Sequence, residues 1–287
     1  MVSFIDCHLS LRRCSPFNGG KFEGWGTSFC WWPNRIGYLD ELSEQAAKLF
    51  FDPKEGLGLN IIRYNIGGGD DPTHHHITRT DSMVPGYAIN PSHDANGYHW
   101  SYDWNADQNQ RNVLMKVAEC YGKDLIVEGF SNSPPYFMTN SGCSSGSVNA
   151  GENNLCEDAY GAFASYLADV AQHFSKEWGI HFQSMTAMNE PDTEYWHALS
   201  DKQEGCHFDP GESQSVMIIA LREALDERGL NDILISGTDE TGIDCQINSI
   251  NSLSEVARET IARIDTHSYL EGDNEGLRKL AQSYYKN

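Results

Sequence analysis

Ser184-Met-Thr-Ala-Met-Asn-Glu-Pro-Asp192 is the stretch from which both the fold and the chemistry of this chain can be approached. Residues 184–188 form a short, mostly apolar run, which predicts a buried β-strand. Pro191 cannot donate to a strand ladder, so the strand must end near Asn189 and Glu190. Barrel enzymes keep catalytic groups at the carboxyl ends of their strands, which makes Glu190 a candidate. Taken alone, Asn189-Glu190-Pro191 also fits an ordinary strand–loop junction with a solvated glutamate.

Segments of strand and helix character alternate along the whole chain. Residues 70–105 are predicted to be a long polar connection. Strands are predicted within residues 21–32, 57–66, 124–130, 184–188, 232–236 and 262–266, and helices at about 38–51, 108–121, 157–178, 212–228, 252–261 and 275–285. This alternation is typical of a parallel sheet, and polar or aromatic residues gather after the strand ends.

The first strand–helix turn argues against a doubly wound dinucleotide-binding sheet, because Gly24-x-Gly26 has no third glycine at the required position. An α/β fold of the (β/α)8 TIM barrel type is therefore favoured. Only about six of the eight strand–helix units that close such a barrel can be counted. We expect an N-terminal segment, residues 1–21, followed by an incomplete barrel catalytic domain, residues 22–287.

Composition narrows the range of partners. The 287 residues include 39% hydrophobic and 11% aromatic residues, and 20 basic against 41 acidic side chains give a formal charge of −21. Such a surface repels nucleic acid and anionic membranes, so neither is expected as a partner. The aromatic residues suit a neutral ligand such as a sugar. The start of the chain lacks a basic n-region and an apolar h-region, which predicts a cytoplasmic location, or secretion if the N-terminus was trimmed.

Neither the cysteines nor the histidines predict a metal site. The eight cysteines contain no CxxC pair, which disfavours a compact structural zinc site. Cys143 and Cys156 bracket a Gly/Ser/Asn-rich loop and could pair, although free thiols are favoured. His74-His75-His76 are consecutive, and three neighbouring side chains on a loop cannot all face one ion with good geometry.

Carboxyl groups at strand ends are the candidates for chemistry. Hydrolysis of a glycosidic bond needs an acid and a second carboxylate, and Glu190 suits the acid/base role, with Asn189 beside it to bind a sugar hydroxyl. Asp239 and Glu240 follow the next strand, and we expect them to be ordinary loop acids rather than a nucleophile. Arg63 lies inside a predicted buried strand, where it could orient a catalytic carboxylate or form a structural salt bridge.

Aromatic and amide side chains near strand ends are candidate sugar contacts. A cluster of aromatic residues after strand ends favours sugar stacking, although any single tryptophan is more often part of a core. These candidates are Trp25, Trp31, Trp32, Tyr136 and Trp196, and Asn132 follows the third strand.

Five motifs, taken together and in this order, resemble glycoside hydrolase family 30, and its endo-β-1,6-galactanase-like branch in particular. They are Glu23-Gly-Trp-Gly-Thr-Ser-Phe-Cys-Trp-Trp32, Asn65-Ile-Gly-Gly-Gly-Asp-Asp-Pro72, Ser131-Asn-Ser-Pro-Pro-Tyr136, Ala187-Met-Asn-Glu-Pro191 and Gln203-Glu-Gly-Cys206. The resemblance extends from Phe22 to Tyr269. It implies a retaining hydrolase on a (β/α)8 barrel with a small β-sandwich appended.

The resemblance also implies roles for single residues. Glu190 matches the acid/base at the end of the fourth strand, and Asn189 matches the neighbouring sugar-binding amide. Arg63 matches the second-strand arginine near the nucleophile, while His267 and Tyr269 fall at the sixth-strand tip that lines the cleft. The family's nucleophile is a glutamate at the end of a seventh strand, and we expect this chain to end before it. We therefore expect a C-terminally truncated piece that is inactive by itself.

The function that the sequence predicts is a retaining hydrolysis of β-1,6-galactan, the side chains of arabinogalactan, by double displacement at two carboxylates. It requires neither a metal nor an organic cofactor. Two alternatives stay open: a non-catalytic carbohydrate-binding fragment, and a family 30 hydrolase for another linkage such as β-1,6-glucan. The sequence leaves endo or exo action and the oligomeric state open.

Overall fold

A computed structural model describes residues 22–284. The predicted segment 1–21, which contains Cys7 and Cys14, lies outside these residues. The strands are β1 (Gly26–Ser28), β2 (Ile61–Asn65), β3 (Ala88–Asp94), β4 (Gly97–Tyr102), β5 (Ile126–Phe130), β6 (Ser184–Thr186), β7 (Leu234–Gly242) and β8 (Ile261–Leu270). The α-helices are α1 (Trp32–Ile36), α2 (Asp40–Phe51), α3 (Gln108–Tyr121), α4 (Tyr160–Glu177), α5 (Glu212–Glu227), α6 (Ile243–Ser252), α7 (Glu255–Thr260) and α8 (Asn274–Tyr284).

Six of these strands form one sheet in the order β1-β2-β5-β6-β7-β8. Every neighbouring pair is parallel, and each strand pairs with the next sheet strand along the chain. Helices connect the successive strands, so all six carboxyl ends meet at one edge. Glu190 follows β6, the fourth strand of this sheet, as predicted. This edge is where a barrel enzyme places its active site.

Helix α4 shows why the sequence folds in this way. Its buried side chains recur every three or four residues, at Phe163, Leu167, Val170 and Phe174. This spacing places them on one face of a helix, which then packs on the sheet. The ring of Phe174 lies edge-on to Tyr64 of β2, with centroids 5.1 Å apart. The core of the described residues therefore lies between the sheet and its connecting helices.

Residues 70–105 were predicted to be a long polar connection, and the structure shows that this connection also contains two strands that were not predicted. It contains an antiparallel hairpin of β3 and β4, joined by a two-residue turn between Asp94 and Gly97. Tyr98, Trp100 and Tyr102 of β4 alternate with polar residues and pack against the core. This period-two pattern predicts a half-buried strand, but the surrounding polar residues conceal it.

The region around β7 also differs from its prediction. β7 continues to Gly242, whereas the apolar pattern predicted an end near residue 236, and α6 follows directly where no helix was predicted.

The six cysteines in residues 22–284, Cys143 and Cys156 among them, are free thiols, as favoured from the sequence. None of the helices in these residues is long and apolar enough to cross a membrane.

Candidate active site

A cavity of about 1300 Å³ opens at the carboxyl ends of the sheet strands. Eight of the ten residues predicted for the site line it: Trp31, Arg63, Asn132, Asn189, Glu190, Trp196, His267 and Tyr269. They come from five of the six sheet strands and the loops that follow, because parallel strands bring their carboxyl ends to one place. Trp32 and Tyr136 do not line it.

The backbone of Glu190 is fixed on both sides. Its N–H donates to the carbonyl of Asp239 at 2.8 Å. Its carbonyl accepts from the indole N–H of Trp196 at 3.0 Å and from the hydroxyl of Thr193 at 2.9 Å. Glu190 has a φ of 49°, a left-handed conformation that is costly for a residue other than glycine. These hydrogen bonds hold it there, and the side chain points into the cavity.

The Glu190 carboxyl group contacts two side chains in the cavity. Tyr195 donates its hydroxyl proton to Oε2 at 2.6 Å. His267 places Nδ1 3.7 Å from Oε1, and its other ring nitrogen, Nε2, lies 3.3 Å from Oδ1 of Asp239. Glu190 is 7% exposed. The carboxyl group is therefore oriented, nearly enclosed, and separated from a second carboxylate by one imidazole ring.

Arg63 links the strands beneath this group. Its Nη2 donates to Oδ1 of Asn189 at 2.9 Å and forms an ion pair with Asp239. Its guanidinium lies 3.4 Å from the centroid of the Phe130 ring, and Nε is 3.6 Å from Glu128. Burial alone would lower the pKa of Arg63, but the surrounding acidic groups, Asp239 first among them, raise it. The structural salt bridge, one of the two roles that the sequence left open for Arg63, is therefore present. Arg63 also orients the side chain of Asn189.

Asp239 and Glu240 were predicted to be ordinary loop acids, and this prediction is wrong. Both lie within β7 and are buried. Asp239 faces the cavity, where it contacts Arg63 and His267. Successive residues of a strand point to opposite faces, and Asp239 and Glu240 follow this rule. The apolar pattern ends before these residues, so a sequence periodicity alone could not place them in the strand.

Glu240 is held away from the cavity. It accepts hydrogen bonds from Ser249 at 2.6 Å, Gln214 at 3.0 Å and the N–H of Asp192 at 3.1 Å. Burial raises the pKa of Glu240 to about 7, although these hydrogen bonds oppose the shift. Glu240 therefore joins β7 to α5 and α6 and does not line the cavity.

Two further carboxyl groups, Glu128 and Asp265, line the cavity and were not predicted. Glu128 accepts from Ser184 at 3.0 Å and Ser236 at 3.3 Å. Burial and the nearby Asp265 raise the pKa of Glu128 well above its ordinary value. A signal for Glu128 is visible in the sequence, since it is a carboxylate in the interior of an otherwise apolar strand.

The predicted aromatic contacts divide into four groups. Trp31 lines the cavity with its ring partly exposed. Trp196 lines it too, but is only 5% exposed and supports Glu190 through its indole N–H. Trp32 packs in the core against Phe29, with centroids 5.2 Å apart. Tyr136 lines a separate cavity of about 590 Å³. Trp25 lies on the surface, 73% exposed.

Tyr195 is a site residue that sequence reasoning missed. It follows Glu190 by five residues in a loop without regular structure, so no periodicity marks it. The three consecutive histidines do not all face one point, as predicted. His75 is exposed, but His74 and His76 turn toward Asp70 and Cys143, and the ligand atoms of these four residues lie within 4.8 Å of one another. This group could hold a metal, and it lies outside the large cavity.

Comparison with known proteins shows the family. Residues 21–254 match the profile of O-glycosyl hydrolase family 30. The chain is 37% identical over 274 residues to an endo-beta-1,6-galactanase of Hypocrea rufa, covering 89% of this chain and 54% of that protein. It is 26% identical over 364 residues to an exo-beta-1,6-galactobiohydrolase of Bifidobacterium longum subsp. longum, covering 94% of this chain and 23% of that protein. The chain thus spans about half of the first relative and less of the second.

A solved structure supports the fold. The catalytic domain of the GH30 xylanase C from Talaromyces cellulolyticus superposes with a TM-score of 0.63 at 20% identity. The alignment covers 86% of this chain and 52% of that chain. At this identity the likeness shows the fold alone. The predicted (β/α) barrel, represented by six strand–helix units in residues 22–284, is confirmed.

Proposed function

Because the chain belongs to glycoside hydrolase family 30, we propose that it carries the acid/base part of a retaining hydrolase for β-1,6-linked galactan. The two relatives named above support the substrate, since the name of each refers to β-1,6-linked galactose. The strong negative charge of the chain also fits a neutral polysaccharide better than a polyanion.

The observation that carries this proposal is the setting of Glu190. In the first step, Glu190 gives its proton to the glycosidic oxygen while a second carboxylate attacks the anomeric carbon and the bond to the leaving sugar breaks. In the second step, Glu190 takes a proton from the water that releases the sugar from that carboxylate. Tyr195 and His267 hold the carboxyl group in one orientation for both transfers.

The attacking carboxylate is the remaining part of the mechanism. The family resemblance implies a glutamate at the end of a seventh barrel strand, and residues 22–284 contain six. Asp239 lines the cavity and lies on the other side of His267 from Glu190. However, Arg63 and His267 already engage it. We propose that Asp239 positions these two residues and that the nucleophile comes from the seventh strand.

The test compares the full product of the gene with the 287-residue chain on β-1,6-galacto-oligosaccharides and β-1,6-gluco-oligosaccharides. We expect the full product to hydrolyse the galactosides with retained configuration, as followed by NMR, and the 287-residue chain to be inactive. Hydrolysis by the 287-residue chain would assign the nucleophile to this chain, with Asp239 the first candidate. Binding without turnover by the full product would support a carbohydrate-binding protein, and a preference for glucosides would assign the other linkage.

A further inference from the structure

Four side chains with metal-binding atoms converge beside the loop that follows β2. They are Asp70, His74, His76 and Cys143, whose ligand atoms lie within 4.8 Å of one another. The geometry points to a zinc site formed by these four residues, separate from the sugar cavity. Cys143 lies far from the others in sequence and reaches them through the loop that follows Tyr136–Met138, a short 3₁₀-helix.

The separations between the ligand atoms suit a tetrahedral ion. Nδ1 of His74 lies 3.3 Å from Oδ1 of Asp70, and Sγ of Cys143 lies 3.3 Å from Nε2 of His76. Nε2 of His76 is 2.6 Å from Oδ2 of Asp70. Around zinc, with bonds of about 2.0 to 2.3 Å, neighbouring ligand atoms lie roughly 3.3 to 3.8 Å apart. The first two separations match this range. The third is shorter and involves the other carboxylate oxygen of Asp70, so zinc bound through one oxygen of Asp70 requires a small movement of Asp70 or His76.

The hydrogen bonds of His76 identify the nitrogen that faces the centre of the cluster as a lone-pair donor. Nδ1 of His76 lies 2.6 Å from the carbonyl oxygen of Ser200, which can only accept, so Nδ1 carries the proton. In a neutral ring, Nε2 then has no proton and directs its lone pair at Asp70 and Cys143. The lone pair of Nε2 and those of Oδ2 of Asp70, 2.6 Å away, repel each other unless a positive charge lies between the two atoms. A backbone carbonyl that fixes the opposite ring nitrogen is a common outer contact of a metal-bound histidine.

The two anionic ligands are also prepared by hydrogen bonds. The N–H of Ser144 donates to Oδ1 of Asp70 at 3.0 Å. The N–H of Leu199 donates to Sγ of Cys143 at 3.4 Å, and the hydroxyl of Ser145 lies 3.2 Å from the same sulfur. Cys143 is fully buried. The sulfur of Cys143 thus already accepts a backbone hydrogen bond from Leu199, and a cysteine binds a metal through its sulfur as the thiolate.

The ligand types favour zinc over the hard cations. Two imidazole nitrogens, one sulfur and one carboxylate oxygen form a mixed set that suits zinc, whereas calcium and magnesium prefer oxygen ligands alone. The competing arrangement has a proton in place of the metal, as an imidazolium–carboxylate pair of His76 and Asp70. Cys143 would take no part in that ion pair.

The position of the cluster indicates what the ion would do. It joins the loop after β2 to the loop that contains Cys143, and His76 binds the carbonyl of Ser200 in a third loop. His197 and Ser200 of that third loop line the large cavity, and Tyr195 precedes them. A zinc ion would therefore fix the wall of the sugar cavity next to the residue that orients Glu190.

The test is a titration of the chelator-treated protein with Zn²⁺ by calorimetry and with Co²⁺ by absorption spectroscopy. We expect one Zn²⁺ per chain, and a cobalt spectrum with four-coordinate ligand-field bands and a thiolate charge-transfer band. Cys143→Ser should remove the charge-transfer band, and Cys143→Ser and His74→Ala should each weaken zinc binding by at least about 100-fold. Because the buried Cys143→Ser change could disturb folding, the partly exposed His74 provides the second variant.

His75→Ala is the matched control, because His75 is adjacent in sequence, exposed and outside the cluster. It should bind zinc as tightly as the parent chain. Each folded variant is compared by circular dichroism before titration. Absence of zinc binding, binding that Cys143→Ser and His74→Ala leave unchanged, or an equal loss in His75→Ala would overturn the proposal.

Discussion

The phenolic hydroxyl of Tyr195 donates a hydrogen bond of 2.6 Å to Oε2 of Glu190. Burial, together with the neighbouring Glu190 carboxylate, raises the pKa of Tyr195, so the phenol stays a proton donor in alkaline solution. The contact leaves Oε1 as the oxygen of Glu190 that is directed toward His267 and the cavity. Tyr195 is thus a positioning residue for the proposed acid/base.

Tyr195→Phe tests this positioning role. Removal of a hydrogen bond to a charged group costs about 1.5 to 3 kcal/mol, so kcat/KM should fall roughly 10- to 100-fold. The loss should appear mainly in kcat, because the phenol acts on the reaction through its hydrogen bond to Glu190. Tyr38→Phe, at an exposed position outside the cavity, is the control. An unchanged kcat in Tyr195→Phe would remove this residue from the account.

Trp31 is expected to bind sugar through its ring. Trp31→Ala should raise KM for β-1,6-galacto-oligosaccharides by about 3- to 10-fold, the effect of one lost aromatic contact, with a smaller change in kcat. Trp25→Ala is the matched control, because Trp25 is a surface tryptophan outside the cavity. Steady-state kinetics on the full gene product provide the measurement, and equal effects in the two variants would contradict the assignment.

Arg63 also contributes to stability. Arg63→Met leaves the buried carboxylate of Asp239 without its cation, which should lower the free energy of unfolding by about 3 to 5 kcal/mol. Urea denaturation measures this change. Lys48→Met, at an exposed helical ion pair with Glu44, is the control and should have no measurable effect. If the two variants unfold at the same urea concentration, the buried ion pairs contribute little.

The raised pKa of Glu240 predicts that the free energy of unfolding depends on pH. Its folded pKa of about 7 lies above the ordinary value of 4.5, so the folded chain binds more protons than the unfolded chain between these values. The free energy of unfolding should therefore fall as pH rises through this window, by about 2 to 3 kcal/mol between pH 5 and pH 8. Asp107, whose pKa burial raises to about 7, adds a parallel decrease.

Glu240→Gln separates the two contributions, since it removes only the part due to Glu240. Relative to the parent chain, the variant should gain about 2 to 3 kcal/mol between pH 5 and pH 8, measured by urea denaturation at each pH. Glu259→Gln, at an exposed position on α7, should follow the parent chain at every pH. A constant difference between Glu240→Gln and the parent chain would show that Glu240 does not titrate in this range.

Much of the fold could be predicted from the sequence because its signals are local. The apolar run that ends at Pro191 placed Glu190 at a strand end, and the β–α alternation made that strand the fourth of a parallel sheet. The hairpin at β3 and β4 escaped prediction because polar residues surround its alternating aromatic residues. The extension of β7 through Asp239 escaped because its last residues lack an apolar pattern.

The remaining parts of the site depend on contacts between distant residues. Tyr195 reaches Glu190 through an irregular loop, and Arg63 meets Asp239 across the sheet, 176 positions later in the chain. The convergence of Cys143 on His76 spans 67 positions. Sequence periodicity reports the face on which a residue lies but not the partner it meets, so it could predict neither the ion pair nor the ligand cluster.

The role of Glu190 as acid/base is tested most directly by Glu190→Gln in the full gene product, assayed with β-1,6-galactan and with an aryl β-1,6-galactobioside whose leaving group needs no proton. Loss of general acid catalysis should reduce galactan hydrolysis by roughly 100- to 10,000-fold. The value of kcat/KM for the aryl substrate, which reports the first step, should be reduced far less, because the leaving phenolate departs unprotonated. Galactan hydrolysis at the parent rate by Glu190→Gln would contradict the assignment.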